Sequence, residues 1–421
     1  MLSFSRFTSR VAQNALNFAL VLLIVDETGH AIFSSLLVLA LVLPSTAAGL
    51  VAGPAADVLP KRLLVFLGNV LRALVCVLFA RDGGDVSSYY FVAVALAAAG
   101  PFATAAEGAM MPLIVGRADL ARANAISQAV GGAAQLIGLG IMTPVLLRLF
   151  HSQEVLFVVA ALLFIAAAVQ GLLIGPVESP ARREIGGEPS GAWWAVGWRQ
   201  IQSDRAVRQA AVELTLISAA LIILGGLIPK YIEDTLGLPI DIGVVVLLPA
   251  AAGVVLGLRV ASFLSHRVPH TLLSTAGFGT FVVLLVMLAF VNPEADFLGG
   301  YGAFEWLSEV SIGSFEGGGV LAVVLIFPLG FAFATVGVAG QTLINDRVPM
   351  QLQGRVLATQ GAMAALAASL PVVIAGGMSD LVGVTPVMAL LAASIGIAAL
   401  LNARQPAEPP AEAGRAAARV R

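Results

Sequence analysis

Residues 31–62 read Ala31-Ile-Phe-Ser-Ser-Leu-Leu-Val-Leu-Ala-Leu-Val-Leu-Pro-Ser-Thr-Ala-Ala-Gly-Leu-Val-Ala-Gly53-Pro-Ala-Ala-Asp57-Val-Leu-Pro-Lys61-Arg62. No charged side chain occurs from Ala31 to Ala56; about 20 apolar helical residues suffice to cross the core of a bilayer. Asp57, Lys61 and Arg62 then arrive together, and Leu63 opens a second apolar run that lasts to Ala80. A span, a short charged loop and another span is the pattern of a multi-pass helical protein. Inside lipid every backbone N–H and C=O must be satisfied within the protein, which a helix does by itself.

The rest of the chain repeats the pattern. Of 421 residues, 59% are hydrophobic and 11% charged, where soluble domains carry about 25% charged residues. Twelve spans are expected, near 9–26, 31–55, 63–80, 90–114, 124–147, 154–176, 208–229, 240–264, 271–291, 319–343, 355–376 and 384–402. A polar break after the sixth holds Pro180, Arg182, Arg183, Gly186, Gly187 and Pro189, the composition of a mobile linker. Trp193, Trp194 and Trp198 follow at helical spacing and predict a short amphipathic helix at the membrane interface. The expected organisation is an N-terminal six-helix bundle (1–177), a cytoplasmic linker with that interfacial helix (178–207), a C-terminal six-helix bundle (208–402) and a disordered cytoplasmic tail (403–421).

Several classes are disfavoured. The net charge of −2 gives no basic face for nucleic acid, and Cys76 alone forms no intramolecular disulfide. The first apolar run has no A-x-A-like cleavage site and feeds into the second, as a signal anchor does. His266 and His270 have no cysteine or carboxylate near them, so no metal is expected. The motifs G-x-x-x-x-G-K-[ST], H-E-x-x-H and G-x-S-x-G are absent from the sequence, so neither a cofactor nor an enzyme activity is expected.

Orientation follows from Lys and Arg. With the N-terminus in the cytoplasm, Arg6, Arg10, Lys61, Arg62, Arg117, Arg122, Arg182, Arg183, Arg267, Arg347, Arg355 and the tail arginines lie inside, and only Arg81, Arg148 and Lys230 outside. Both termini are therefore expected in the cytoplasm. A weak internal repeat accompanies the even span count. Gly53 and Gly257 are 204 residues apart; Leu120, Ser127 and Gln128 precede Leu352, Thr359 and Gln360 by 232. The difference is near the length of the external break Asn292–Gly318, which carries five acids and no Lys or Arg.

The stretch Gly53-Pro-Ala-Ala-Asp57-Val-Leu-Pro-Lys61-Arg62 resembles the loop signature of major facilitator transporters, G-x-x-x-D-R-x-G-R-R/K. Gly53, Asp57, Lys61 and Arg62 match; Val58 and Pro60 depart from it. Asn69 with Arg72, Asp119-Leu-Ala-Arg122-Ala-Asn124-Ala125, Leu352-Gln-Gly354-Arg355-Val356 and Ile228-Pro229-Lys230-Tyr231 are similar to the drug- and siderophore-exporting (transmembrane secretion effector) branch. The resemblance implies two pseudo-symmetric six-helix bundles, alternating access, a small-molecule substrate, proton-driven efflux and a plasma (inner) membrane location. It also implies that the Gly53, Asp57, Lys61 and Arg62 cluster gates one conformation. Gly53 would let two helices approach closely.

Ionisable residues inside spans are costly, and each is a functional candidate. Glu107 and Glu213 are the candidates for proton coupling; a structural ion pair with a nearby arginine is the other reading of each, Arg208 standing close to Glu213 in sequence. Arg72 and Arg259 lie within the third and eighth expected spans, snorkelling to the inner surface being the other reading. In the first span, Arg10, Asn14 and Asn17 share a helix face at spacings of four and three, and a polar face in lipid should turn into the bundle. Asn14, Asn17, Arg72, Gln135, Arg259, Gln341 and Asn345 are the candidate cavity residues, helix–helix hydrogen bonding being the alternative role. The glycines Gly131, Gly132, Gly138 and Gly140 before Pro144 are expected to serve packing. The function expected is efflux of small amphipathic compounds, drug-like or siderophore-like, by a monomer exchanging protons across the bilayer. A lysophospholipid flippase of the same fold is the alternative, and a membrane enzyme or sensor a more distant one.

Overall fold

The computed structural model describes residues 1–82, 85–115, 127, 130–143, 145–146, 152–174, 193–237, 248–264, 267–292 and 317–404. The described residues are helical throughout apart from turns and short links. In chain order the helices are α1 (Leu2–Thr28), α2 (Ala31–Val58), α3 (Lys61–Asp82), α4 (Val86–Val115), α5 (Val130–Met142), α6 (Gln153–Leu172), α7 (Trp193–Ser203), α8 (Arg205–Lys230), α9 (Leu248–Leu264), α10 (His270–Ala289), α11 (Gly317–Arg347), α12 (Met350–Val382) and α13 (Val384–Arg404).

Ten of these are long and apolar enough to cross a membrane; α5 and α9 are shorter apolar helices, where the fifth and eighth spans are expected, and α7 is the helix foreseen around the tryptophans. The observed helices outrun the apolar runs. α12 begins at Met350, ahead of the apolar run expected from 355, because polar residues outside the hydrocarbon continue a helix once it is nucleated. Glycine ends two helices where a left-handed turn is needed. Gly29, at φ 66°, closes α1 with its N–H on the Val25 carbonyl, and Gly383, at φ 84°, separates α12 from α13.

The packing divides the chain into two compact units. Unit 1 is Met1–Ile185 with Gly226–Glu233 and Pro239–Leu248, and unit 2 is Gly186–Gly225 with Asp234–Leu238 and Pro249–Arg421. In unit 1, α1 is the central helix: Ala12, Ala15, Leu16, Ala19, Leu20 and Ile24 are fully buried, and it packs on α2, α4, α5 and α6, while α3 packs on α4 and α6. Gly138 of α5 is set against the α1 backbone, where a Cβ would stand 2.6 Å from the Val11 carbonyl oxygen. The stretch Leu136–Met142 is wound as a π-helix, and Thr143 donates to both Gly138 O (3.0 Å) and Ala15 O (3.1 Å).

In unit 2, α10 packs on α11 and α13, and α12 on α7 and α13. Two helices meet main chain to main chain: Gly253 and Gly257 of α9 lie against the carbonyls of Phe327 and Phe331, and Gly330 of α11 against that of Ala250. Small residues permit this approach, as at helix interfaces in lipid generally. α7 docks on α12 in the same way, with Gly197 against Thr359 and the Arg355 carbonyl. Asp204 caps α8, accepting from the N–H groups of Ala206 (2.8 Å) and Val207 (3.4 Å) and from Arg347 Nη1 (3.0 Å). Burial pushes the Asp204 carboxyl up, but these donors prevail and hold it below its usual range.

Candidate functional site

The polar groups of unit 1 converge on α1. Arg6 and Glu107, 101 residues apart, form a buried ion pair, Nε to Oε2 at 3.0 Å, with the two side chains 10% and 5% exposed. Arg6 also donates to Ser127 Oγ at 2.7 Å, so one guanidinium ties α1 to α4 and to residue 127. One turn on, Ser9 donates to Asn69 of α3 at 2.9 Å, and Asn69 in turn to the Val65 carbonyl at 2.9 Å. Next, Gln13 accepts from Arg72 Nη1 at 3.3 Å and donates to Asn17 Oδ1 at 2.7 Å. Arg72 is 3% exposed, donates to the Gly68 carbonyl of its own helix, and stands 4.9 Å over the Phe164 ring.

Arg6, Ser9, Gln13 and Asn17 run along α1 at spacings of three, four and four; Arg6 bonds α4, Ser9 and Gln13 bond α3, and Asn17 bonds Gln13. Arg10 is exposed; Asn14 is half-buried beside Gly138. Arg6, one of the charges that orient the chain, is buried and paired and belongs to the site.

Unit 2 holds Glu213 on α8, 4% exposed. Ser274 of α10 donates to its Oε2, Thr275 to its Oε1 at 2.9 Å, and Gln209 to its Oε1 at 3.1 Å; Gln209 also donates to Thr275 Oγ1 at 2.8 Å. Among the described residues every one of these partners is neutral. The arginine expected for Glu213, Arg208, is not among its partners.

The remaining candidates are dispersed. Arg62 Nη1 donates to the Ile174 carbonyl at 3.0 Å, beyond the C-terminus of α6, where a cation meets the orphan carbonyls. Lys61 is half-buried, and the side chain of Asp57 lies outside the described set. A Cβ at Gly53 would meet no atom within 4 Å among the described residues; the close approach argued for it is found at Gly257, its counterpart in the repeat. Gln135, Arg259, Gln341 and Asn345 are exposed on their helices, and the Asn345 carbonyl accepts from Gln353 at 2.7 Å. The segment Asp119–Ala125, the linker up to Ala192, the acidic stretch 293–316 and the tail from 405 lie outside the described residues.

A family model described as Major Facilitator Superfamily matches residues 2–319, and the chain belongs to that superfamily. It is 24% identical over 395 residues to the multidrug efflux pump Tap of Mycolicibacterium fortuitum, covering 91% of this chain and 89% of that one. It is 25% identical over 397 residues to the multidrug efflux pump Tap of Mycobacterium tuberculosis, covering 91% and 88%. Among solved structures it is similar to the nucleoside transporter NupG in a single-site mutant form, with a TM-score of 0.72, 14% identity, and coverage of 95% of this chain and 98% of that one. At that identity the likeness speaks for the fold. The protein is a multi-pass membrane transporter of the superfamily and not an enzyme.

Proposed function

We propose that this protein exports small amphipathic compounds, drug-like or siderophore-like, in exchange for protons by alternating access, as a monomer in the plasma membrane with both termini in the cytoplasm. The observation that carries the reading is the pair of buried carboxylates inside membrane-crossing helices. Among the described residues each unit has one, and each bonds the first membrane-crossing helix of its unit to another helix. A proton on Glu107 removes the counter-charge of Arg6; a proton on Glu213 turns an acceptor of three neutral donors into a donor as well. Either event alters a helix–helix contact, the local change that biases a two-state element. The name of the Tap relatives supports the class of substrate, and the Lys and Arg bias supports the orientation. In this reading Gly53, Asp57, Lys61 and Arg62 steady one state, and Asn14, Asn17, Arg72, Gln135, Arg259, Gln341 and Asn345 are the residues to probe for substrate contact.

The test is transport by purified protein in proteoliposomes under an imposed pH gradient, with fluorescent cationic drugs, an iron-free siderophore and a labelled lysolipid. Gradient-driven movement of a drug or the siderophore is expected, falling at least roughly tenfold, or about 1.4 kcal/mol, in Glu107→Gln or Glu213→Gln. Movement of lysolipid alone, indifferent to pH and to both substitutions, would replace export with lipid flipping.

A further inference from the structure

The side of α1 turned toward α5 holds polar groups that the buried ladder does not use. Arg10 and Asn14 stand there four residues apart, and α5 opposes them with Gly131, Gln135 and Gly138, one helix stripe at spacings of four and three. A Cβ at Gly131 would stand 3.2 Å from Arg10 Nη1, and one at Gly138 would stand 3.0 Å from the Asn14 Cβ. The two glycines therefore seat Arg10 and Asn14 against α5, and Gln135 lies between the glycines on the same stripe. Arg10 and Gln135 are exposed and Asn14 is half-buried. Among the described residues none of these three side chains makes a hydrogen bond or an ion pair. Their depth gives this meaning. α1 runs from Leu2 to Thr28, so Ala15 is its midpoint. Arg10 lies about 8 Å and Asn14 about 1.5 Å short of it, at the helical rise. Polar groups at such depth turn to a watered recess or a partner, because lipid supplies neither a charge nor a hydrogen bond.

Charge is the second observation. Arg6, Arg72 and Arg10 all act on Glu107, a single carboxylate in their midst. Glu107 is bonded to Arg6, while Arg72 is sealed against Gln13, the Gly68 carbonyl and the face of Phe164. Arg10 has no bonded counter-charge among the described residues, and it is the accessible member of the three. The planar guanidinium fork matches the two oxygens of a carboxylate, and the Asn14 and Gln135 amides hold further N–H donors. The same surplus of positive charge opposes a cation.

We propose that Arg10, Asn14 and Gln135 form the recognition site for a carboxylate on the exported compound, so that the substrates are amphipathic anions. The proposal rests on the reading of the protein as an exporter and names the charge class of what it carries.

The probe is dansyl-leucine, a drug-sized carboxylate, compared with its neutral amide and with the cation dansylcadaverine. Equilibrium binding of each to the full-length protein in phosphatidylcholine nanodiscs is read by fluorescence anisotropy. Saturable binding of the acid is expected, at least roughly tenfold tighter than that of the amide, with the cation weaker still. Arg10→Gln should erase the preference for the acid, and Arg10→Lys should keep part of it. Asn14→Ala and Gln135→Ala should weaken the acid, as should Gly131→Val, which displaces the guanidinium. Each variant is checked for folding by its elution profile. Arg267→Gln, which removes an exposed arginine of unit 2, should bind as the wild type does. Acid bound no more tightly than amide, or a preference that survives Arg10→Gln, overturns the proposal. The same preparations are then driven in proteoliposomes by a pH gradient. A preference for the acid that depends on Arg10, where the gradient moves nothing, sinks proton-coupled export and leaves the site standing. Gradient-driven movement of cationic drugs by a protein with no preference for the acid sinks the site alone.

Discussion

The two units place their buried carboxylates on different seams. In unit 1 the α1–α3 seam holds Ser9 on Asn69 and Gln13 on Arg72, and the carboxylate sits on α4 against Arg6 of α1. In unit 2 the α8–α10 seam carries the carboxylate: Glu213 is 204 residues beyond Ser9, and Ser274 is 205 beyond Asn69. Conversely, Ala339, 232 residues beyond Glu107, carries no charge and is buried with Ala261 and Leu273. The corresponding helices of the two halves therefore meet through different chemistry. One half spends its carboxylate on an ion pair that locks α1 to α4, and the other leaves its carboxylate among neutral donors.

The largest effect that would break this contrast is at the ion pair. Glu107→Gln strands a buried guanidinium and should destabilise the protein by about 3–5 kcal/mol, read as a fall in the thermal unfolding midpoint in detergent. The double variant Arg6→Leu with Glu107→Leu should recover most of it, and failure to recover would show that the pair is more than a charge lock. Next come the glycines of the repeat. Gly257→Val forces a side chain on the Phe331 carbonyl and should cost about 1–3 kcal/mol, whereas Gly53→Ala should stay within about 0.5 kcal/mol. Equal costs would mean that the two halves share the close approach. Smaller again, Glu213→Gln should cost about 1 kcal/mol, because the hydroxyls can reorient around an amide; a loss as large as that of Glu107→Gln would remove the distinction between the seats. Asp204→Ala, which deletes the α8 cap, should also cost about 1 kcal/mol near neutral pH. The folded Asp204 titrates below its unfolded value of about 3.9, so its contribution is complete above that value and disappears as the pH falls through the lower folded one. The difference between wild type and Asp204→Ala should thus shrink on acidification, and a difference that grows would reverse the assignment.

Much of this was legible in the sequence because lipid is an unforgiving solvent. Uncharged runs gave the helices, and Glu107, Glu213 and Arg72 stood out as ionisable groups at membrane depth; all three are buried in polar contacts. Arg6 did not stand out. It lies four residues inside the start of α1, where arginine serves orientation, and its partner is 101 residues away. No local pattern reports such a pairing. The stripe of α1 that bonds α3 and α4 was not legible for a related reason. Arg10, Asn14 and Asn17 obey helical spacing as well as Arg6, Ser9, Gln13 and Asn17 do, and only the helices packed against α1 decide which stripe is inside. The seat of Glu213 was hidden in Ser274 and Thr275, which read as ordinary residues of an apolar run until α10 lies beside α8.

The crossing of α9 and α11 has a consequence for measuring this protein. Carbonyl touches glycine there at Gly253, Gly257 and Gly330, with no layer of side chains to act as a bearing. Without such a layer neither helix can slide past the other, so the pair behaves as a girder within unit 2. Probes attached to its two members would keep a fixed separation through a transport cycle, which makes this seam a ruler against which the movement of other helices of that unit can be read.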